Sequence, residues 1–217
     1  MNIKFISTLV LSLLFMAAST TVILAQISVG VKKGDWIEYQ VTLTGNPPQD
    51  HDIVWARMEV TNVQGEAINL DIQTEFSNGT IFPGTITLNI ATGALGDDFI
   101  IPANLNVGDT FRDQYQGNIT ISNLEKLTIA GTERSVMSGS TPQTTYHWDS
   151  QTGILVEAYS SYTEYTMSTK TTGTNIWSPQ IFGVDTIVFY SLVIVIIIIV
   201  SAIMAIFIWG QRRNNKN

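Results

Sequence analysis

The chain holds two imidazoles, His51 and His147, and each is a candidate centre of chemistry. In Asp50-His51-Asp52 the residue types are those of a metal site. Three adjacent side chains do not converge easily on one ion, however, and the triplet sits in the Pro-rich loop Gly45-Asn-Pro-Pro-Gln-Asp50. A solvated loop is the expectation. His147 lies between Tyr146 and Trp148 in an alternating segment, which places it on the polar face of a strand. Acyl-transfer chemistry would need one of these histidines in a cleft with a Ser and an acid, and no Gly-x-Ser-x-Gly elbow is present. Asp97-Asp98, beside Gly96, reads as a turn rather than an acid/base pair. No Gly-rich phosphate loop precedes a helix. The absence of Cys removes thiol catalysis, thiolate zinc, disulfides and a lipidated cysteine. No catalytic, cofactor-binding or metal residue is therefore assigned, and a non-enzymatic protein is expected. Asn78-Gly-Thr80 and Asn118-Ile-Thr120 make Asn78 and Asn118 candidate glycosylation acceptors.

The elements that carry these residues are strands. Trp36 to Thr44 sets Ile37, Tyr39, Val41 and Leu43 against Glu38, Gln40 and Thr42, a period of two. Ile53 to Val63 and Ala67 to Phe76 alternate likewise, separated by Gln64-Gly65, and Asn78-Gly79 marks a hairpin turn. Further strands are predicted at 85–90, 99–101, 110–115, 119–121, 127–129, 133–137, 144–148, 154–159 and 165–172. No amphipathic helix stands out. The fold class is all-β: an antiparallel meander forming a curved sheet, a half-barrel or a sandwich. Lys33-Gly-Asp-Trp and Val107-Gly-Asp-Thr form a weak internal echo, read as two tight turns in which Gly takes a positive φ.

Apolar segments flank this domain. Ile187 to Trp209 is free of charge, Gly and Pro. As a helix its 23 residues cover about 35 Å, enough for a hydrocarbon core of about 30 Å. Tyr190 and Trp209 are its interfacial anchors, and Arg212 and Arg213 its cytoplasmic stop, in a basic tail over 210–217. Residues 1–25, with Lys4 ahead of an apolar run, read as a secretory signal peptide or an uncleaved signal-anchor helix, with cleavage after Ala25 or Ser19. The domain at 26–171 and the stalk at 172–186 fall outside the cell. All 18 Asp and Glu lie between Asp35 and Asp185, against 7 Lys and Arg between Gln26 and Asp185. Such an acidic exterior argues against nucleic acid as a partner. Trp177, Ile181 and Phe182 of the stalk are expected at the membrane surface.

Gly34-Asp-Trp-Ile-Glu-Tyr39 after a signal resembles the first strand of uncharacterised archaeal exported proteins with a C-terminal anchor. Tyr146-His-Trp-Asp-Ser-Gln-Thr-Gly-Ile-Leu-Val156 is similar to hairpins of lipoprotein-carrier-like half-barrels, a resemblance that implies a curved sheet around an apolar cavity for acyl chains. The chain departs from those carriers in its anchor and in lacking a clear lid helix. The expected role is a membrane-tethered extracytoplasmic binding, interaction or envelope domain. Its partners would be the lipid bilayer and an envelope protein or hydrophobic ligand. A half-barrel holding a hydrophobic ligand is the first alternative, and a surface hydrolase the second. An open apolar cavity on the concave face would favour the half-barrel. A binding module would present an outer patch, around Trp55, Tyr159, Tyr162 and Tyr165.

Overall fold

In a computed structural model of the chain, residues 27–48, 51–96 and 98–214 are described, the last five of them by backbone alone. The expected leader at 1–25, together with Asp50, Asp97 and Lys216, lies outside these residues. Nine antiparallel strands form one sheet: β1 (Trp36–Gly45), β2 (Ile53–Gln64), β3 (Ala67–Phe76), β4 (Ile81–Asn89), β7 (Asn123–Ile129), β8 (Thr132–Ser140), β9 (Thr144–Asp149), β10 (Leu155–Ser161) and β11 (Tyr165–Thr174). Their order is β4-β3-β2-β1-β11-β10-β9-β8-β7. Each run of strands is a meander, and β1 meets β11 in the middle, joining the first half of the chain to the last. The edges β4 and β7 do not pair with each other, so the barrel is not closed.

Alternation decides which face is buried. On β1, Ile37, Tyr39 and Val41 are buried while Gln40 and Thr42 are exposed. On β11, Thr171, Thr169 and Met167, the partners of Tyr39, Val41 and Leu43, face the same way. Between β4 and β7 the chain makes an insert, residues 90–122, that crosses this apolar face. It contains a hairpin, β5 (Thr110–Asp113) and β6 (Gly117–Thr120). Leu95, Ile100, Ile101, Phe111, Ile119 and Ile121 from the insert join one core with Ile37, Leu70, Leu88, Val136 and Trp148 from the sheet. Trp148 is fully buried; its indole N–H donates to the Asp98 carbonyl at 2.7 Å, and Phe111 meets its ring edge-on at 5.3 Å. Gly139 makes room for this: a Cβ there would lie 3.1 Å from the Thr120 carbonyl oxygen and 3.2 Å from the Trp148 ring.

The two Gly-Asp turns are one device used twice. In each, the Asp N–H closes a four-residue turn, from Asp35 to Lys32 and from Asp109 to Asn106. Gly34 and Gly108 take φ of 88° and 92°. Each carboxylate reaches back to the first N–H of its own turn, at 3.0 Å for Asp35 and 2.7 Å for Asp109, rather than to the chain ahead. Each turn then exchanges the same pair of backbone bonds with a neighbouring segment, through Val60 in one case and Ile121 in the other.

Several boundaries differ from expectation. Phe99 to Ile101 is no strand of the sheet; it belongs to the insert and makes one bridge, Ile100 to Ile154, with the Ile101 N–H donating to the Gly153 carbonyl and the Leu155 N–H to the Phe99 carbonyl. β4 begins at Ile81, four residues before the predicted start, and carries Pro83, which an edge strand tolerates because its missing N–H costs no ladder bond. β11 runs to Thr174, and Trp177 is buried against the sheet rather than set at a membrane surface, its indole N–H donating to the Ile129 carbonyl at 3.2 Å. Beyond it β12 (Gln180–Ile181) and β13 (Val184–Asp185) make a small hairpin. Phe182 at its tip is 92% exposed.

Helix α1 (Thr186–Asn214) follows without a break. Asp185 caps it by accepting the Ile187 N–H at 2.9 Å, a bond that also holds this carboxyl below its usual range. Residues Thr186–Trp209 are long and apolar enough to cross a membrane, and none of that window is buried against the protein. Tyr190 and Trp209 are exposed near its two ends, and the backbone of Arg212 and Arg213 continues the helix.

The β9–β10 loop, Asp149 to Gly153, is a tight turn as its sequence suggests. The fully buried Asp149 carboxylate accepts the Thr152 N–H and hydroxyl at 3.0 and 2.8 Å. It also forms a bidentate pair with Arg134 at 2.7 and 3.0 Å. The same guanidinium lies 4.8 Å from the centre of the Trp177 ring. Removing one member of such a pair strands a buried charge. Arg134→Met is expected to lower the stability of the β-domain by about 3–5 kcal/mol in urea unfolding, with Trp177 emission shifted to the red. Adding Asp149→Asn should recover part of that loss.

A cavity on the concave face

The insert covers only part of the apolar face. At the end of the sheet where β1, β3 and β10 finish, a cavity of about 490 Å³ remains. Its walls come from seven adjacent strands, from Ile86 on β4 to Thr144 and Tyr146 on β9. Laid flat, six inter-strand steps of about 4.8 Å would separate those residues by about 29 Å. They line one small cavity only because the sheet curves, so of the curved sheet, half-barrel or sandwich expected, an open curved sheet is the form observed.

The floor is apolar: Tyr39, Ala56, Met58, Phe99, Leu155 and Ala158. Hydroxyls enter towards the rim. Thr144 and Ser160, cross-strand partners, bond each other at 2.9 Å, and Thr169 and Thr74 stand on other walls. His51 and Tyr162 border the opening. The Tyr162 and Tyr165 rings stack at 4.5 Å, and the His51 Nδ1 hydrogen-bonds the Tyr165 hydroxyl. His51, expected in a solvated loop, is exposed yet bonded into this rim cluster.

Asp52 turns the other way, to the Ser77 hydroxyl, so His51 and Asp52 do not converge. Among the described residues no group of three potential ligands gathers for a metal ion. His147 lies on the convex face, its Nε2 3.7 Å from Glu125, which also accepts the Ser138 hydroxyl at 3.3 Å. The carboxylate stands between imidazole and hydroxyl, so this trio lacks the Ser-to-His bond that activates a nucleophile. Asn78 is exposed in the β3–β4 turn, where its side chain accepts the Thr80 N–H at 2.9 Å; Asn118 is exposed on β6. The outer aromatic patch does not assemble as one surface. Tyr159 is exposed on β10, whereas Tyr165 turns inward and is buried at the rim.

Alternation along β1 places Tyr39 on the apolar face and gives it no role. It is fully buried, and its hydroxyl donates to the Leu155 carbonyl at 2.8 Å. The register between β9 and β10 slips at Leu155–Glu157, so the Tyr39 hydroxyl meets β10 at a bulge. Tyr39 thus stitches the floor to the bulge. Sequence patterning could not have found this contact, since the residues are 116 apart.

No protein-family model matches the chain, and no curated protein matches it. Among solved structures, the siderocalin Ex-FABP, described as functioning through dual ligand specificities, is similar at 10% sequence identity, with a TM-score of 0.23. The match covers 63% of this chain and 68% of that one.

Burial raises the Tyr39 phenol well above its ordinary value of 10.0. The folded protein therefore holds that proton while the unfolded chain can release it. Below about pH 10 this preference costs nothing; above it, stability falls as pH rises towards the folded value. Tyr39→Phe is expected to flatten that alkaline decline in unfolding midpoints. At neutral pH the same change should cost about 1–3 kcal/mol, because the Leu155 carbonyl loses its partner.

Proposed function

We propose that the protein is a membrane-tethered, extracytoplasmic β-domain that holds a small hydrophobic ligand in the concave cavity of its half-barrel. The observation that carries this reading is the cavity itself: about 490 Å³, apolar at its floor, hydroxyl-bearing near its rim and open at one end. Ligand pockets of about 300–1,000 Å³ with an apolar lining and a few placed polar groups are the common form of small-molecule sites. The hydroxyls of Thr144, Ser160 and Thr169 orient one polar end of a guest, and Tyr39, Met58 and Ile86 take up its apolar body. The tether rests on α1, whose window from Thr186 to Trp209 has no protein surface to bury it. Basic residues after it and acids before it support an outer domain and a cytoplasmic tail.

A docking module for another protein is the second reading. It draws on Ile81 and Phe82, 59% and 64% exposed on the edge strand β4. Fluorescence titration with 1-anilinonaphthalene-8-sulfonate separates the two. The native protein should bind the probe with a blue-shifted emission. Ala158→Phe, which places a ring in the cavity, should weaken binding at least tenfold without lowering the urea midpoint by a comparable amount. Binding unchanged by Ala158→Phe but lost in an Ile81→Ser/Phe82→Ser variant would favour the edge strand. For the tether, the full chain should stay with the membrane pellet under alkaline carbonate extraction, and a chain ending at Asp185 should not.

A further inference from the structure

Every strand of the sheet runs between two poles, and the two poles differ. At one lie the turns that join β1 to β2, β3 to β4, β8 to β9 and β10 to β11. That is the cavity pole, with Ser160, Thr144, His51 and Tyr162 at its opening. At the other lie the β2–β3, β7–β8 and β9–β10 turns, where the chain both enters and leaves. Residues Ile27–Val29 sit beside the Gly65–Glu66 turn, and Ala103 donates its N–H to the Ser28 carbonyl at 2.8 Å. The exit is fastened to the same pole. Asn175 donates to the Gly34 carbonyl and accepts the Trp36 N–H, both at 2.8 Å. The Thr132 hydroxyl donates to the Ser178 carbonyl at 2.6 Å, and the Gln180 N–H donates to the Gly131 carbonyl at 2.9 Å. The Thr186 N–H then donates to the Pro179 carbonyl at 3.0 Å as α1 begins.

We infer that the domain stands on the membrane by its chain-entry pole, with the cavity opening directed away from that bilayer, so that the ligand is exchanged across water with the outer side. The inference rests on the tethered-binding reading above. Along β11, nine steps of about 3.3 Å from Tyr165 to Thr174 set the opening roughly 30 Å above the exit. The segment between β11 and α1 is not a loose leash that could fold the opening down: Trp177 is buried in it, and the hydrogen bonds just named pin it to the sheet at Asn175, Ser178 and Gln180.

The chain has no Cys, so single cysteines can be placed at will. Glu66→Cys and Thr128→Cys mark the entry pole, and Gln143→Cys and Thr163→Cys the cavity pole; all four positions are exposed. In the full-length protein in vesicles, each is labelled with a donor dye, and energy transfer to an acceptor lipid in the same bilayer is measured. Transfer should be several-fold more efficient from the Glu66 and Thr128 positions. Equal transfer from both poles, or more from the cavity pole, would overturn the orientation. A second arm follows loading of the cavity with a fluorescent single-chain amphiphile. Supplied in the protein's own bilayer or in separate protein-free vesicles, it should load at the same rate, slowing on dilution of the vesicles in the second case. Faster, dilution-independent loading from the protein's own bilayer would overturn exchange across water. If no probe binds in either arm, the binding reading fails, while the energy-transfer result still decides the orientation.

Discussion

An unclosed β-sheet with one apolar face must cover that face with its own chain, and the rest of this structure follows from how that is done. The insert between β4 and β7 supplies the cover, and Trp148 holds it down. Its ring is the meeting point of sheet and insert, packed edge-on by Phe111 and tied by its N–H to the Asp98 carbonyl. Because the insert spans only part of the concavity, the same constraint that builds the core also leaves the cavity. Gly153, with φ of 70°, marks how closely the two parts meet. A Cβ at that position would lie 2.0 Å from the Ile101 carbonyl oxygen, nearer than any side chain tolerates.

A second constraint acts at the opposite pole. Asp149 is fully buried and would be intolerable as an isolated charge, so it is satisfied twice over, by Arg134 and by the Thr152 N–H and hydroxyl of its own turn. The Arg134 guanidinium in turn faces the Trp177 ring. One ion pair thereby links the β9–β10 loop, the first residues of β8 and the segment leading to the helix. With no disulfide available, such polar anchors and the single core carry the whole fold.

Much of the sheet was legible in the sequence because a half-buried strand writes its burial directly as alternation. The first three strands and the turn at Asn78-Gly79 read correctly for that reason. Reading weakened where side chains pack without alternation. Phe99 to Ile101 is as apolar as a strand but lies in the insert, where burial comes from all sides. The end of β11 escaped notice because Gly173 and a run of Thr have no apolar contrast to show. Trp177 is ambiguous in the sequence, since an aromatic residue near a long apolar segment reads equally well as an interfacial anchor or as a core side chain. The bond from His51 to Tyr165 is not legible along the chain, because the two residues are 114 positions apart.

By itself, the sequence determined the periodicities: a β-domain built of hairpins, one helix of membrane-crossing length, and a segregation of acids from the terminal bases. These are local quantities, set by the rise and repeat of the backbone and by the chemistry of neighbouring residues. Only the tertiary structure decided that β1 closes against β11, that the sheet curves without closing, and that residues 90–122 fill part of its hollow and leave the rest open. Those outcomes depend on contacts between residues roughly 100 or more positions apart, such as Tyr39 with Leu155 and Trp36 with Asn175. Their energies come from volume, shape and register at distant sites, none of which is encoded in the spacing along the chain.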